Sequence, residues 1–334
     1  MNAPTQSLVS ISDRPRTTKS SISGLLLAGV TALVSGIAVF VNSYGVKSYA
    51  DATAYTTAKN AVAAIVLCSV LVFSWARSRQ TGRATAPPTE PNERRRHWIR
   101  WVRASSIAII GGSVPFVLFF EGLARASAKD AAFIHKTLVV WVAILAMVFL
   151  RERVGWLQVA AIALLVSGQW MLGFNYEALR LGNGELLIAG ATLLWSVEVV
   201  MVKRLLGSFD ASSLAVVRMG GGVVVLVGWL VLTGRLGALW PTSGDAARWV
   251  VATGLLLGMY VISWYEALVR ARAIDVTAVL TLAVPVTAIL DATIKGTPLA
   301  PQTAGLLAVA AGVVLVTVAA LAGRSPSTAT TTAA

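Results

Sequence analysis

Ten apolar stretches, most of them about 20 residues long and separated by charged or turn-forming residues, govern what this chain can become. They run over 22–44, 55–76, 104–123, 130–150, 156–174, 184–203, 211–233, 248–268, 276–294 and 303–322. A stretch of about 20 apolar residues crosses a hydrocarbon core roughly 30 Å thick, and it must do so as a helix, which pairs its backbone N–H and C=O groups without water. The composition agrees: 56% of the 334 residues are hydrophobic and 13% charged, against roughly 25% charged in a soluble domain. The chain therefore reads as an all-α membrane protein with ten transmembrane helices. The first run is too long for a signal-peptide core and is expected to stay as a span. Residues 1–21 and 323–334 carry too little apolar surface to bury and are expected to form disordered cytoplasmic ends.

The net charge of +13 raises the question of nucleic acid, and its distribution answers it. Arg77, Arg79, Arg83, Arg94, Arg95, Arg96, Arg100 and Arg103 face only Glu90 and Glu93 in the connector 77–103 between two apolar runs. A basic loop between spans marks the cytoplasmic side, so nucleic acid is not an expected partner and the lipid bilayer is. With both termini inside, 18 Lys or Arg fall on the cytoplasmic face and seven outside. The abundance of arginine over lysine, with much Ala, Val and Gly, points to a GC-rich bacterial genome and hence to the inner membrane. Cys68 is the sole cysteine, which excludes an intramolecular disulfide and a thiolate metal cluster.

The chain repeats itself. Phe120-Glu121-Gly122-Leu123-Ala124-Arg125-Ala126 matches Tyr265-Glu266-Ala267-Leu268-Val269-Arg270-Ala271 at an offset of 145. Asp51, with Lys59 eight residues on, matches Asp210, with Arg218 eight residues on, at an offset of 159. The difference of 14 fits the long arginine connector of the first half. Gln158 and Gly168 find Gln302 and Gly312 at an offset of 144. The repeat covers five spans, over 22–174 and 184–322. Because five is odd, the halves enter the membrane in opposite directions, an inverted repeat common among secondary transporters.

This pattern resembles the drug/metabolite transporter superfamily, in particular its ten-helix members built from two EamA domains. The resemblance is carried by Leu150-Arg151-Glu152-Arg153-Val154-Gly155-Trp156-Leu157-Gln158 with Ser167-Gly168, and by Val284-Pro285-Val286, Gln302 and Gly312. Two positions depart from the pattern. The mid-helix proline present at Pro285 is Val140 in the first half, and the Leu-x-Glu-Arg turn becomes Lys295-Gly296-Thr297-Pro298 in the second. The resemblance implies a transporter of small metabolites, often an exporter driven by a proton or substrate gradient.

Charged groups at bilayer depth are costly unless paired or hydrated, so each is a candidate functional residue. On the expected topology Lys59, Asn42, Glu121, His135 and Lys136 lie in the outer half, and Glu198, Arg218 and Glu266 in the inner half. Lys59 and Arg218 can equally be packing residues held by a carboxylate or by backbone carbonyls. Lys136 has no charged counterpart, its repeat mate being Thr281, so it and the adjacent His135 are expected to serve substrate or coupling. Glu121 and Glu266 each precede an arginine by four residues, a spacing that also makes an ordinary interfacial pair. Glu198, in the apolar run 191–202, is a candidate proton carrier or partner for a substrate ammonium. Asp291 and Lys295 are expected to pair. Asn42 more often bonds a neighbouring helix. Gly111-Gly112, Gly220-Gly221-Gly222, Gly305 and Gly312 are expected to permit close helix packing, and Pro115 and Pro285 to kink a helix or free a carbonyl.

The expected function is secondary active transport, with export of amino acids or related zwitterions by alternating access and protons as candidate coupling ion. An organic-anion or drug exporter is the alternative within the class, and a channel or membrane scaffold the alternative outside it. An intramembrane enzyme would need a clustered nucleophile and base or a metal site, and His97 and His135 are the only histidines. No catalytic residue, metal or cofactor is expected.

Overall fold

The computed structural model describes residues 18–80, 91–123, 125–126, 131, 134–172, 182–296 and 298–322. Among them there is no strand. Eight helices are long and apolar enough to cross a membrane, and Ile134–Leu150 and Trp156–Met171 are shorter apolar helices. These ten segments follow the ten apolar stretches within a few residues, except on the arginine-rich face. There the second helix, Ala52–Gln80, and the third, from Pro91, run on well past their apolar parts. Of the connector 77–103 only 81–90 lies outside the described helices. At the N-terminal end the helix already begins at Thr18 and buries Ser21. The remainder of both expected terminal tails falls outside the described residues.

Local chemistry sets the helix ends. Asp51 Oδ1 accepts from Ala54 N at 2.7 Å, Asp210 Oδ2 from Ser213 N at 2.9 Å and Ser243 Oγ from Ala246 N at 3.1 Å, satisfying amide groups that a first turn leaves unpaired. The fourth span ends on Arg151 with φ 54° and the ninth on Gly296 with φ 70°. These residues are repeat mates at an offset of 145, so both halves make the same left-handed turn, and only the second uses the residue that adopts it without strain. At this position the departure from Leu-x-Glu-Arg in the second half leaves the backbone turn the same.

Three spans are interrupted. The third breaks at Gly111–Ser113, the fourth at Thr137 and the ninth at Thr281–Leu282. The fourth and ninth breaks are again repeat mates, although only the ninth contains a proline nearby. Pro285 is therefore not what makes the break; Val140 occupies the equivalent site and its N–H bonds Thr137 O at 2.9 Å. Pro115 does free a carbonyl, that of Gly111 four residues earlier, but the Trp195 indole N–H takes it up at 3.2 Å.

Helix contacts come in two-fold pairs. The first span lies along the eighth as the sixth lies along the third; the second meets the eighth as the seventh meets the third; the first meets the ninth as the sixth meets the fourth. The second and seventh, and the fifth and tenth, pair with their own repeat mates. Gly168 meets Gly305 and Val309, whereas Leu165 and Ala161 meet Gly312, so the fifth and tenth spans run antiparallel. Equivalent helices that run in opposite directions are what an inverted repeat requires.

Lipid gives helices no hydrophobic reason to associate, so close backbone approach must supply the attraction. A methyl on Gly168 would stand 2.8 Å from the Val309 nitrogen, and one on Gly222 would stand 2.4 Å from Gly112 O. Gly220 has open space around it. Gly168→Leu is expected to destabilise by about 1–3 kcal/mol through overpacking, while Gly220→Ala leaves stability unchanged or slightly raised. Thermal unfolding of the purified protein in detergent checks the contrast, and equal midpoints would contradict it.

Candidate functional site

Two buried cations, each near one face, organise the interior, and they are repeat mates. On the side towards the arginine-rich face, Arg218 of the seventh span forms a two-point ion pair with Glu198 of the sixth. Its Nε donates to Oε1 at 2.5 Å and its Nη2 to Oε2 at 3.2 Å. The Tyr265 hydroxyl donates to the same Oε1 at 2.9 Å, and Arg218 Nη1 points at Met219 Sδ at 3.3 Å. Both partners are buried. Gly111 and Gly112 make the room: a methyl on the first would collide with the Glu198 carboxyl and one on the second with Arg218 O. Glu198 and Arg218 thus occupy one another.

On the opposite side Lys59, 8% exposed, lies on the second span. Its ammonium donates to Asn42 Oδ1 at 3.1 Å, and it sits 5.5 Å from the Tyr55 ring centroid and 5.8 Å from that of Phe120. The Tyr55 hydroxyl lies 3.0 Å from the same Asn42 oxygen and 2.9 Å from Thr253 Oγ1. Asn42 is anchored in turn through its Nδ2 to Ala38 O at 2.7 Å. Among the described residues no carboxylate pairs with Lys59.

His135 and Lys136 fall just before the break in the fourth span. The His135 ring packs edge-on against Trp195 at 4.9 Å and Phe119 at 5.3 Å, and its Nδ1 is buried with no hydrogen-bond partner among the described residues. Trp195 also contacts Phe116, whose ring lies 6.0 Å from the Arg218 guanidinium, so an aromatic bridge joins His135 to the ion pair. Lys136 is partly buried, and among the described residues no ion pair joins it to Glu198.

The expected interfacial pairs form. Glu121 pairs with Arg125 at 3.1 Å, Glu266 with Arg270, and Asp291 with Lys295 at 2.7 Å. Glu121 also belongs to a larger latch. Arg235, in the connector after the seventh span, reaches Glu121 at 2.9 Å and Asp51 at 3.0 Å, tying the starts and ends of three spans together. Nothing in the sequence around Arg235 marks it out. At the arginine-rich face a second network does similar work: Glu152 accepts from the N–H groups of Ala273 and Ile274, Arg272 grips Asp275 at 2.7 Å, and Gln158 Nε2 reaches Asp275 at 3.3 Å. Glu152 and Gln158 belong to the motif quoted above, and their geometry explains it. Sequence reasoning also passed over Asn60, fully buried with both amide atoms unpaired among the described residues, although a polar amide inside a span is itself a signal. Among the described residues no three metal-ligating side chains cluster.

A buried ion pair costs most when half of it is removed. Arg218→Met is expected to destabilise by about 3–5 kcal/mol by stranding Glu198, and adding Glu198→Met to recover most of the loss. Equilibrium unfolding in mixed micelles checks this, and a double variant no more stable than the single one would contradict it.

A solved structure, described only as the crystal structure of a protein, superposes on this chain with a TM-score of 0.68 at 17% identity, covering 89% of this chain and 99% of the other. That likeness shows the fold. No curated protein matches the sequence. The sequence model of the EamA-like transporter family matches residues 22–174 and again 182–318, one copy on each half of the two-fold bundle. With both five-span repeats matched, the chain belongs to the EamA-like transporter family, whose members carry small molecules across membranes.

Proposed function

We propose that this protein is a secondary active transporter that works by alternating access, exporting amino acids or related zwitterionic metabolites across the cytoplasmic membrane of a bacterium. The observation that carries the proposal is the pairing of helix breaks with polar latches. The fourth and ninth spans are interrupted at equivalent residues, and each face of the bundle has its own network, Arg235 with Asp51 and Glu121 on one side and Arg272 with Asp275 and Glu152 on the other. The Arg235 bridges are partly exposed and weak enough to open, and on the other face a partly exposed Arg272 holds a buried Asp275, while the glycine seams hold one half against the other. Placement of both termini in the cytoplasm rests on the count of 18 basic residues against seven.

Family membership favours transport over an intramembrane enzyme. A channel would have no need of a latch at each end. Protons are the proposed coupling ion, with His135, whose Nδ1 has no partner among the described residues, beside Lys136 as the group that exchanges them.

Counterflow in proteoliposomes tests the carrier reading: exchange that saturates and is accelerated by substrate on the far side is expected, and flux linear in concentration would sink it. An exposed bridge is worth up to about 1 kcal/mol. Arg235→Ala is therefore expected to change the exchange rate by up to about fivefold while leaving it saturable. Accumulation driven by an imposed pH gradient should vanish on adding a protonophore and in His135→Phe; survival of accumulation in both would remove the proton from the scheme.

A further inference from the structure

We infer that Lys59 supplies the charge that recognises the substrate, and that what it recognises is an oxyanion, a carboxylate above all, standing where the fold omits a counter-charge. This rests on the carrier reading and specifies its substrate class.

The two-fold repeat makes the omission visible. Arg218 corresponds to Lys59, and Tyr265 to Phe120. The register of the first and sixth spans follows from their contacts: Gly24 meets Ala271 as Gly184 meets Ala126, and Ala271 and Ala126 are repeat mates, so Gly24 corresponds to Gly184 at an offset of 160. Glu198 then corresponds to Ala38. Arg218 is thus answered by a carboxylate that a phenol hydroxyl supports, whereas the first half has a methyl and a phenyl ring in the equivalent positions. Asn42, one turn beyond Ala38, offers a single neutral oxygen. An ammonium has three N–H groups to give, and among the described residues only one acceptor is in place.

The carboxylates at the start of the Lys59 helix and beside Phe120 are otherwise engaged. Asp51 caps its own helix through Oδ1 and holds Arg235 through Oδ2; Glu121, next to Phe120, holds Arg235 and Arg125. A cation kept at bilayer depth without a counter-ion is a standing cost that an anionic ligand relieves on binding. The ammonium of a zwitterionic substrate finds no matching partner at Glu198, whose oxygens already accept from Arg218 and Tyr265. It is the carboxylate of such a substrate that Lys59 reads.

Two experiments on the full chain decide the matter. The first needs no ligand: Ala38→Glu copies Glu198 into the first half, and Ala38→Gln is its neutral control of equal size. Ala38→Glu is expected to unfold at a higher temperature than Ala38→Gln, and the difference to disappear in the presence of Lys59→Met. A Glu variant no more stable than the Gln variant would overturn the missing counter-charge. The second is counterflow of labelled 2-oxoglutarate, lactate and glutamate, with cadaverine, choline and uridine, which carry no carboxylate, for comparison. Exchange of at least one of the three anions is expected, cut about tenfold or more by Lys59→Met, partly kept by Lys59→Arg and lost in Ala38→Glu. Exchange confined to cadaverine, choline or uridine, or anion exchange indifferent to Lys59→Met, would overturn the inference and leave the carrier standing. If nothing in the panel exchanges, the carrier reading fails, and the stability comparison still decides whether Lys59 lacks a counter-charge.

Discussion

A helix bundle in lipid cannot be held together by expelling water from apolar surface, since lipid is as apolar as leucine, and this chain answers with glycine. The crossing of Gly112 on Gly222, the fit of Gly168 against Gly305, and the seating of Gly24 on Ala271 bring backbones within reach of one another. The polar interior depends on the same contacts. The Glu198–Arg218 pair lies inside the membrane because Gly111 has no side chain to displace the carboxylate and Gly112 none to displace the backbone of Arg218. Small residues therefore set not only the distance between helices but also which charges the interior can hold.

Once that pair is closed, the chemistry of the interior is uneven. Two-fold scaffolds place similar side chains at similar depths, and an asymmetric substrate can be gripped only where the symmetry is broken. Here it is broken at three linked positions: Lys59 for Arg218, Phe120 for Tyr265 and Ala38 for Glu198. One side is electrically complete; the other carries a cation that no carboxylate meets among the described residues, flanked by aromatic faces and one amide. The aromatic bridge from Phe116 through Trp195 to His135 runs from the closed side to the broken fourth span, and offers a mechanical link between them.

Much of the fold was legible because the bilayer imposes a length and a hydropathy on every crossing, and because the odd repeat forces inversion. The connections of charge were less legible. An i, i+4 spacing such as Glu121 to Arg125 declares itself, whereas the reach of Arg235 to Asp51 depends on how a connector folds back over the bundle. Glu198 looked like an isolated carboxylate since its partners lie 20 and 67 residues away. Pro285 drew attention as a helix breaker, yet the fourth span breaks at the same place without one, because the break belongs to the architecture rather than to a residue.

The antiparallel seam between the fifth and tenth spans has a consequence for how such a bundle inserts. Its two sides present equivalent glycines to each other, so the seam is self-complementary, and a five-span half could in principle meet an inverted copy of itself. A half-chain of that kind would have to enter the membrane both ways up with equal ease. The full chain is not symmetric in this way, because the arginines from Arg77 to Arg100 have no arginine at the equivalent positions of the second half. Whichever way up the first half sits, the second is inverted relative to it by the count of five spans before it.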